Sequence, residues 1–357
     1  LSWQDAGEEA MFARNHWYVV ALSSEIGHEP LARTVLGEPV VLYRGTDGTP
    51  VALADRCPHR RYPLSLGRLD GDLLVCGYHG FTFDCSGTCV AVPGQDAIPS
   101  RANVRPYPLV ESGAWTWIWM GHPDVIGRPE PPATPWLQAG TEWAVTTSMA
   151  PLPARHELLV DNLLDLSHET YLHAGFIGTP EVAATPITTE VDEESAVVRV
   201  SRHMVDVECP PFYSRSTGIT GRIDRWQDIE YFAPGYYLLH SRIAPTGLDP
   251  APDGSDDEAC HIKISYGITP STPTSTYDFW AVSRDFARDD VEVDEFLFKQ
   301  NATVVGQDVD ALTVLEQRIS ADPDDFELNI KIDRGGLAAR RILRQLVDAE
   351  VGESPPS

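Results

Sequence analysis

Residues 75–87 read VCGYHGFTFDCSG. A thiol and an imidazole, Cys76 and His79, stand with two residues between them in a stretch that otherwise reads as β, and Gly77 and Gly80 are interleaved with them. A chain has no packing reason to place a thiol, an imidazole and two glycines in one tight loop. Upstream, ALADRCPHRRYPLSLG (52–67) supplies a second loop of the same kind, with Cys57 and His59. The whole pattern is C-x-H, sixteen residues, then C-x-x-H.

Two Cys and two His can hold one Zn²⁺ ion. Zinc fingers, however, pair Cys with Cys and His with His, whereas each loop here carries one of each. That order fits a Rieske [2Fe–2S] centre, in which two thiolates hold one iron and two imidazoles the other. Cys57, His59, Cys76 and His79 are therefore read as cluster ligands, with Pro58 and Tyr78 strengthening the pattern. Gly77 and Gly80 are expected to let backbone N–H groups approach the sulfurs.

The chain of 357 residues is long enough for two domains. Its net charge of −26 disfavours nucleic-acid phosphates as partners. Six cysteines are too sparse for a secreted disulfide scaffold, so Cys85, Cys89, Cys209 and Cys260 are expected to be reduced and without a catalytic role. No run of eighteen apolar residues occurs and no basic-then-apolar leader opens the chain, which reads as soluble and cytoplasmic, without a membrane span. Residues 1–10 look polar and dispensable, and the organised chain begins near MFARNHWYVV (11–20), with Met11 either a native start or an internal Met.

Residues 11–122 alternate short β-rich runs with turn signals. PVVLYRGTDGTPVALAD folds back at Asp47-Gly48, FTFDCSGTCVAV at Ser86-Gly87, and AWTWIWMG is a strand of alternating aromatics. Residues 123–140, rich in proline, read as a linker. The third segment, 141–350, opens with RHELLVDNLLDLSHETYLHAG, a helical pattern ended by Gly175. Five β-like runs follow, AVVRVSRHMV, GRIDRWQDIEYFA, YYLLHSRIA, CHIKISYGITP and TYDFWAVSRDF, then a helix from about Asp289 to 320 and a last one over DRGGLAARRILRQLVDAEV. The expected fold class is α+β: an all-β N-terminal domain, then an antiparallel sheet with packed helices. The tail GESPPS is expected to fray.

A cluster alone only carries electrons, so a receiving site is sought. In the helical pattern, Asn162, Asp165 and His168 are spaced by three and would share a face, with Asp161 and His173 close by. Buried carboxylates and imidazoles need a partner or a metal. His168 and His173 lie five apart, about 140° round a regular helix, so they can share a metal only if the helix ends or bulges between them. Two His and one carboxylate leave positions on Fe(II) open for O₂. In NATVVGQDVDALTVLEQRI the apolar stripe runs Val304, Val305, Ala311, Leu312, Leu315 and Ile319, and Asp308 falls on it; Asp310 and Glu316 are the alternatives. Asp165, one turn before His168, is placed to hydrogen-bond a ligating imidazole.

With NHWYVV, DRCPHRRYPLSLGRL, LVCGYHGFTFDCSGTCVAVPGQ, DNLLDLSHETYLHAGFIGT, TGITGRIDRWQ and ITPSTPTSTYDFWAVSRDF, the chain resembles the oxygenase components of Rieske non-heme iron oxygenases, within them the vanillate and dicamba-type O-demethylase group. The resemblance implies that Cys57, His59, Cys76 and His79 hold the [2Fe–2S] cluster and His168, His173 and Asp308 a mononuclear Fe(II). It implies that Asp165 links the two centres across a subunit boundary, to His79 of the partner subunit, within a homotrimer, and that Asn162 supports the iron ligands. Gln307 departs from the acidic residue that often precedes the third ligand in this family. The implied activity is an O₂- and NAD(P)H-dependent monooxygenation. A separate reductase with flavin and a ferredoxin-type iron–sulfur centre would deliver the electrons, and a small aromatic methoxy compound would be demethylated with release of formaldehyde. Hydroxylation or cis-dihydroxylation at the same iron is the alternative, and a pure Rieske electron carrier is the alternative of another class. His203, Tyr213, Arg222, Arg225 and Trp226 are the candidate anchors for a substrate.

Overall fold

The computed structural model describes residues 11–353 except 123–128, 139, 141 and 254. The expectations for residues 1–10, for 123–128 of the linker and for the last four residues of the tail fall outside the described residues. The chain divides into two units: 14–133 with 269–273, and 1–13 with 134–268 and 274–357. The division after Ala133 lies inside the proline-rich stretch read as a linker. That 269–273, the end of a strand and the first residue of the turn after it, groups with the N-terminal unit is not visible in any local pattern.

The N-terminal unit holds strands β1 (Trp17–Leu22), β2 (Leu31–Val35), β3 (Glu38–Arg44), β4 (Pro50–Ala54), β5 (Arg68–Asp70), β6 (Leu73–Val75), β7 (Thr82–Phe83), β8 (Cys89–Ala91), β9 (Leu109–Ser112) and β10 (Trp115–Trp119). They form three small sheets, ordered β1-β10-β9, β2-β3-β4 and β5-β6-β7-β8. The Asp47-Gly48 hairpin forms as read: Arg44 pairs with Pro50, and the Asp47 carboxylate accepts the Thr49 N–H at 2.8 Å. Strand β10, the middle strand of its sheet, is buried along its whole length. Val41, Tyr43, Leu53, Leu64, Leu74 and Phe83 form a core into which Cys57 and Cys76 are built.

The second unit holds β11 (Ala144–Leu152), α1 (His156–Leu164), α2 (Glu169–Leu172), α3 (Pro180–Ala184), β12 (Thr188–Asp192), β13 (Val197–Glu208), α4 (Pro211–Thr217), β14 (Arg222–Phe232), β15 (Tyr236–Pro245), β16 (Cys260–Thr272), β17 (Ser275–Arg284), α5 (Val291–Ala321) and α6 (Arg334–Glu353). Its seven-stranded sheet runs β11-β17-β16-β15-β14-β13-β12. The five inner strands are the five runs legible in the sequence. The two edge strands were not singled out: β12 is polar and five residues long, and β11 is only partly buried for most of its length, so neither carries a clear apolar alternation. One face of the sheet packs on the helices through Ile229, Leu239, Ile262, Trp280, Leu159, Val305 and Leu312 among others. Helix α5 starts where its cap predicts, the Asp290 carboxylate accepting the N–H groups of Glu292 and Val293 at 3.0 and 3.2 Å. Among the described residues no helix is long and apolar enough to cross a membrane.

Candidate metal centres

The loops at Cys57 and Cys76 are built alike. In each, the cysteine N–H donates to the carbonyl five residues on (Cys57 to Tyr62, 2.9 Å; Cys76 to Phe81, 2.8 Å). In each, the cysteine carbonyl accepts from the N–H four residues on (Arg61, 2.8 Å; Gly80, 3.0 Å). That fourth residue is left-handed in both, Gly80 at φ +72° and Arg61 at φ +59°. The repeat is hidden in the sequence because an arginine fills the position that glycine would fill most cheaply. Gly77 has a steric reason of its own: a Cβ there would lie 2.7 Å from the Leu66 carbonyl oxygen.

The two loops bring their ligands together. Cys57 and Cys76 are each 2% exposed, and their thiols are within hydrogen-bonding reach of one another. His59 and His79 are exposed, with ring centroids 4.6 Å apart. Buried thiols behind and exposed imidazoles in front fit a cluster held by sulfur on its inner iron and by nitrogen on its outer one. None of the six cysteines is in a disulfide.

The second site is made by a break in a helix. Helix α1 stops at Leu164, and Asp165 takes an extended conformation (φ −123°, ψ 96°). Its carboxylate accepts from the Ser167 N–H at 2.9 Å and the Ser167 hydroxyl at 2.6 Å, capping a 3₁₀ turn that ends in His168. Helix α2 follows for four residues and ends before His173. The single helix running to Gly175 is thus corrected to two helices with a capped turn between them. The reason is local: an Asp two residues before a Ser offers the backbone a hydrogen bond that competes with the helix. The expectation that Asn162, Asp165 and His168 share one helical face fails with it. The condition set for a shared metal, a helix that ends between the two histidines, is met.

His168, His173 and Asp308 offer ligand atoms that all lie within 4.8 Å of one another. The Asp308 Oδ1 atom is 3.3 Å from His173 Nε2 and 3.6 Å from His168 Nε2. Each imidazole has its other nitrogen engaged: His173 Nδ1 lies 2.8 Å from Gln307 Oε1, and His168 Nδ1 lies 2.6 Å from the Asp165 carbonyl oxygen. Both partners are acceptors, so both Nδ1 atoms carry the proton and both Nε2 lone pairs point at Asp308. Two lone pairs converging on a carboxylate oxygen repel unless a cation lies among them, which is the donor set of a two-histidine, one-carboxylate iron site. Asn162 Nδ2 donates to Asp308 Oδ1 at 3.1 Å, so Asn162 touches the carboxylate rather than an imidazole. Asp165 reaches His168 through its carbonyl and not through its carboxylate.

The alternatives to Asp308 are accounted for. Asp310 is exposed, and Glu316 is bound by Arg155 through its N–H, Nε and Nη2 at 2.9, 2.7 and 2.7 Å. Leu315, placed on the apolar stripe of α5, is 48% exposed and lies off it. Of the five anchor candidates, His203 and Arg222 are exposed and paired with Asp228 and Asp206, and Trp226 stacks on His203. Arg225 is 1% exposed, donates to Glu169 at 3.0 Å and to the Ile177 carbonyl at 3.1 Å, and covers the Tyr213 ring.

Two residues that the sequence reading missed hold the iron turn. Glu169, the first residue of α2, is 3% exposed and takes Arg225 on one oxygen and Gln227 on the other, at 3.0 Å each. The available signal was Arg225 and Gln227 themselves, two polar residues at i and i+2 on one strand face. Gln307 is the other, its adjacency to Asp308 being the signal. Gln307→Leu is expected to leave the buried His173 Nδ1–H without an acceptor and to weaken iron binding by about 10–100-fold, read by titrating iron into the metal-depleted protein.

A Rieske-type β unit carried with an α+β unit that bears a two-histidine, one-carboxylate site is the build of a Rieske non-heme iron oxygenase. Residues 16–108 match the Rieske [2Fe–2S] domain and residues 152–349 the vanillate O-demethylase oxygenase C-terminal domain, and the chain belongs to the vanillate/dicamba O-demethylase group of these oxygenases. It is 32% identical to the vanillate O-demethylase oxygenase subunit of Pseudomonas sp. (strain HR199 / DSM 7063), covering 95% of this chain and 96% of that one. It is 34% identical to the toluene-4-sulfonate monooxygenase system iron-sulfur subunit of Comamonas testosteroni, covering 97% and 100%. The crystal structure of dicamba monooxygenase bound to 3,6 dichlorosalicylic acid superposes with a TM-score of 0.88 at 30% identity, covering 96% of this chain and all of that one. The chain is accordingly an oxygenase component of the Rieske monooxygenase type, with a [2Fe–2S] domain and a non-heme iron site at His168, His173 and Asp308.

Proposed function

We propose that this protein is the terminal oxygenase of a multicomponent system that O-demethylates a methoxylated aromatic compound. The observation that carries the reading is the convergence of the His168 and His173 lone pairs on Asp308, in a chain with its own Rieske domain. The balance is ArOCH₃ + O₂ + NAD(P)H + H⁺ → ArOH + HCHO + H₂O + NAD(P)⁺, with a hemiacetal that collapses to the phenol and formaldehyde. A separate reductase, with flavin and a ferredoxin-type iron–sulfur centre, supplies the electrons one at a time, and the cytoplasm is the compartment. Bound at Cys57, His59, Cys76 and His79, the cluster supplies one-electron transfer; the bound iron supplies O₂ activation and oxygen-atom transfer. What this chain's residues do is placement. Gln307 and the Asp165 carbonyl hold the two imidazoles in the tautomer that presents Nε2, and Asn162 holds Asp308.

Methoxylated aromatic acids and alcohols, assayed with a surrogate reductase, test the reading: formaldehyde in step with NADH use supports it. A second reading is hydroxylation of an arene methyl group, favoured by the 34% identity to the toluene-4-sulfonate monooxygenase subunit. With ¹⁸O₂, one labelled atom in a benzylic alcohol and no formaldehyde would select it, and two labelled atoms in one product would select cis-dihydroxylation.

The system we propose is a homotrimer, in which Asp165 links His168 to His79 of the partner subunit. Asp165 Oδ1 is taken by Ser167, and among the described residues its second oxygen accepts no hydrogen bond, which leaves it for such a link. Asp165→Asn should retain both metals and slow cluster oxidation by at least about tenfold, a barrier of roughly 1.4 kcal/mol, in stopped-flow with substrate and O₂. Wild-type rates in an iron-replete Asp165→Asn trimer would remove the link.

A further inference from the structure

Residues 321–330, ADPDDFELNI, leave the end of α5, and every one of the ten is exposed. Phe326 is 82% exposed and Leu328 74%, and Ile330 is exposed with them. Large apolar side chains grouped in water mark a surface that a partner covers. Asp322, Asp324, Asp325 and Glu327 are interleaved with them, and the run holds no basic residue. Glu327 and Leu328 also line a cavity of about 360 Å³, together with Asp161 of α1 and Leu337 and Arg340 of α6. Arg340 is the one cation of that lining, and its Nε is committed to Asp161 Oδ2 at 2.8 Å. The Asp165 N–H donates to the Asp161 carbonyl at 3.1 Å, so Asp161 stands one helical turn, about 6 Å, from Asp165.

The cluster loops have the opposite character. Residues 14–133 hold ten arginines and twelve acidic residues, so nearly all of the net charge of −26 belongs to the other unit. Between Asp55 and Asp70 stand four arginines, Arg56, Arg60, Arg61 and Arg68, and no acid. All four are exposed, and among the described residues none of them is in an ion pair. Arg14, Arg33, Arg44 and Arg105 of the same unit each pair with a glutamate. Arg60 and Arg61 directly follow His59, whose ring lies 4.6 Å from that of His79. The exposed Tyr78 ring lies 3.9 Å from His79, and the exposed Leu66 has its backbone against Gly77. Unpaired cations set among exposed apolar side chains are the complement of the 321–330 run.

We propose that residues 321–330, with the cavity between Asp161 and Glu327, form the docking surface for the cluster loops of a second copy of this chain. Arg60 and Arg61 of the partner subunit meet Asp325 and Glu327, and the partner subunit's Tyr78 and Leu66 cover Phe326 and Leu328. The inference rests on the reading that Asp165 meets His79 of the partner subunit, and it names the surface around that link. Position selects a second copy as the occupant: a contact at Asp165 brings the residues beside the two cluster histidines to within about a helical turn of Asp161. Complementary charge then fixes which faces meet. Docking of one face on a different face is heterologous, the kind of contact that can close a ring.

The test uses the full-length holoenzyme and sedimentation at micromolar concentration. Arg60→Glu/Arg61→Glu and, separately, Asp325→Arg/Glu327→Arg are each expected to raise the dissociation constant of the trimer by at least about a hundredfold, because like charges would then face one another. The visible spectrum of the cluster and the iron content report that each variant is folded. The variant that carries both exchanges should recover most of the affinity, which the loss of merely structural side chains would not produce. Wild-type affinity in either double variant, or no recovery in the combined one, overturns the inference. So does a raised KM for a surrogate reductase in Arg60→Glu/Arg61→Glu with the trimer intact, which would assign the arginines to the electron donor. Dissociation that is recovered by the combined exchange, beside wild-type cluster oxidation in the Asp165→Asn trimer, leaves the docking surface standing and removes the Asp165 link. Intact trimers in both charge variants, beside slow oxidation in Asp165→Asn, do the reverse.

Discussion

Asp308→Ala should lower the iron content from about three atoms per chain to about two and leave the visible spectrum of the cluster intact. Turnover should fall by roughly a thousandfold, since the lost Lewis acid is worth several kcal/mol of barrier. The converging lone pairs carry the argument. His168 and His173 have their Nδ1 protons committed to the Asp165 carbonyl and Gln307, so without Asp308 two neutral donors remain, too few to retain the metal. The cluster ligands belong to a different unit with its own core, built on Tyr43, Leu53, Leu74 and Phe83. Cys76→Ala is the reciprocal experiment: the chromophore is lost and the mononuclear iron stays. If Asp308→Ala kept the third iron, or if the cluster spectrum vanished with it, the assignment of two independent centres would fail. A wild-type protein with only two irons per chain would select the electron-carrier reading.

Arg225→Leu should cost about 3–5 kcal/mol of stability, measured by the shift of the urea unfolding midpoint. Glu169 is 3% exposed, and without Arg225 its charge would be left with the Gln227 amide alone. The double variant Glu169→Leu/Arg225→Leu should recover much of that loss, because a buried ion pair replaced as a whole by apolar groups is often neutral. The single variant also has a functional consequence. Helix α2 joins the two histidine ligands, and Glu169 fastens it to β14, so weaker iron binding should accompany the lost stability. Destabilisation of Arg225→Leu by less than about 1 kcal/mol would show that the pair contributes little beyond its own desolvation.

The candidate metal ligands were legible because their chemistry is rare and their spacing short. A Cys and a His in each of two loops point to a Rieske cluster whatever the rest of the chain does, and an Asp on the apolar side of α5 is expensive unless it binds something. The inner strands were legible for the same reason: each carries a long β-rich run. The edge strands β11 and β12 lacked that pattern, and the helix over 155–175 looked continuous because periodicity does not register a side chain that competes for the backbone. Asp165 was placed correctly beside His168, but by the wrong group, since only the break at Leu164 turns its carbonyl toward the imidazole.

By itself, then, the sequence determined the class of chemistry: the identity of the candidate ligands, the two-part α+β build and the family. Those depend on residue type at short separation, which the covalent chain preserves. Tertiary structure alone decided what surrounds them. Gln307 meets His173 across 134 residues, Asn162 meets Asp308 across 146, and Arg225 meets Glu169 across 56. Charge and hydrogen-bond satisfaction are sums over neighbours in space, and the fold brings those neighbours from distant parts of the chain.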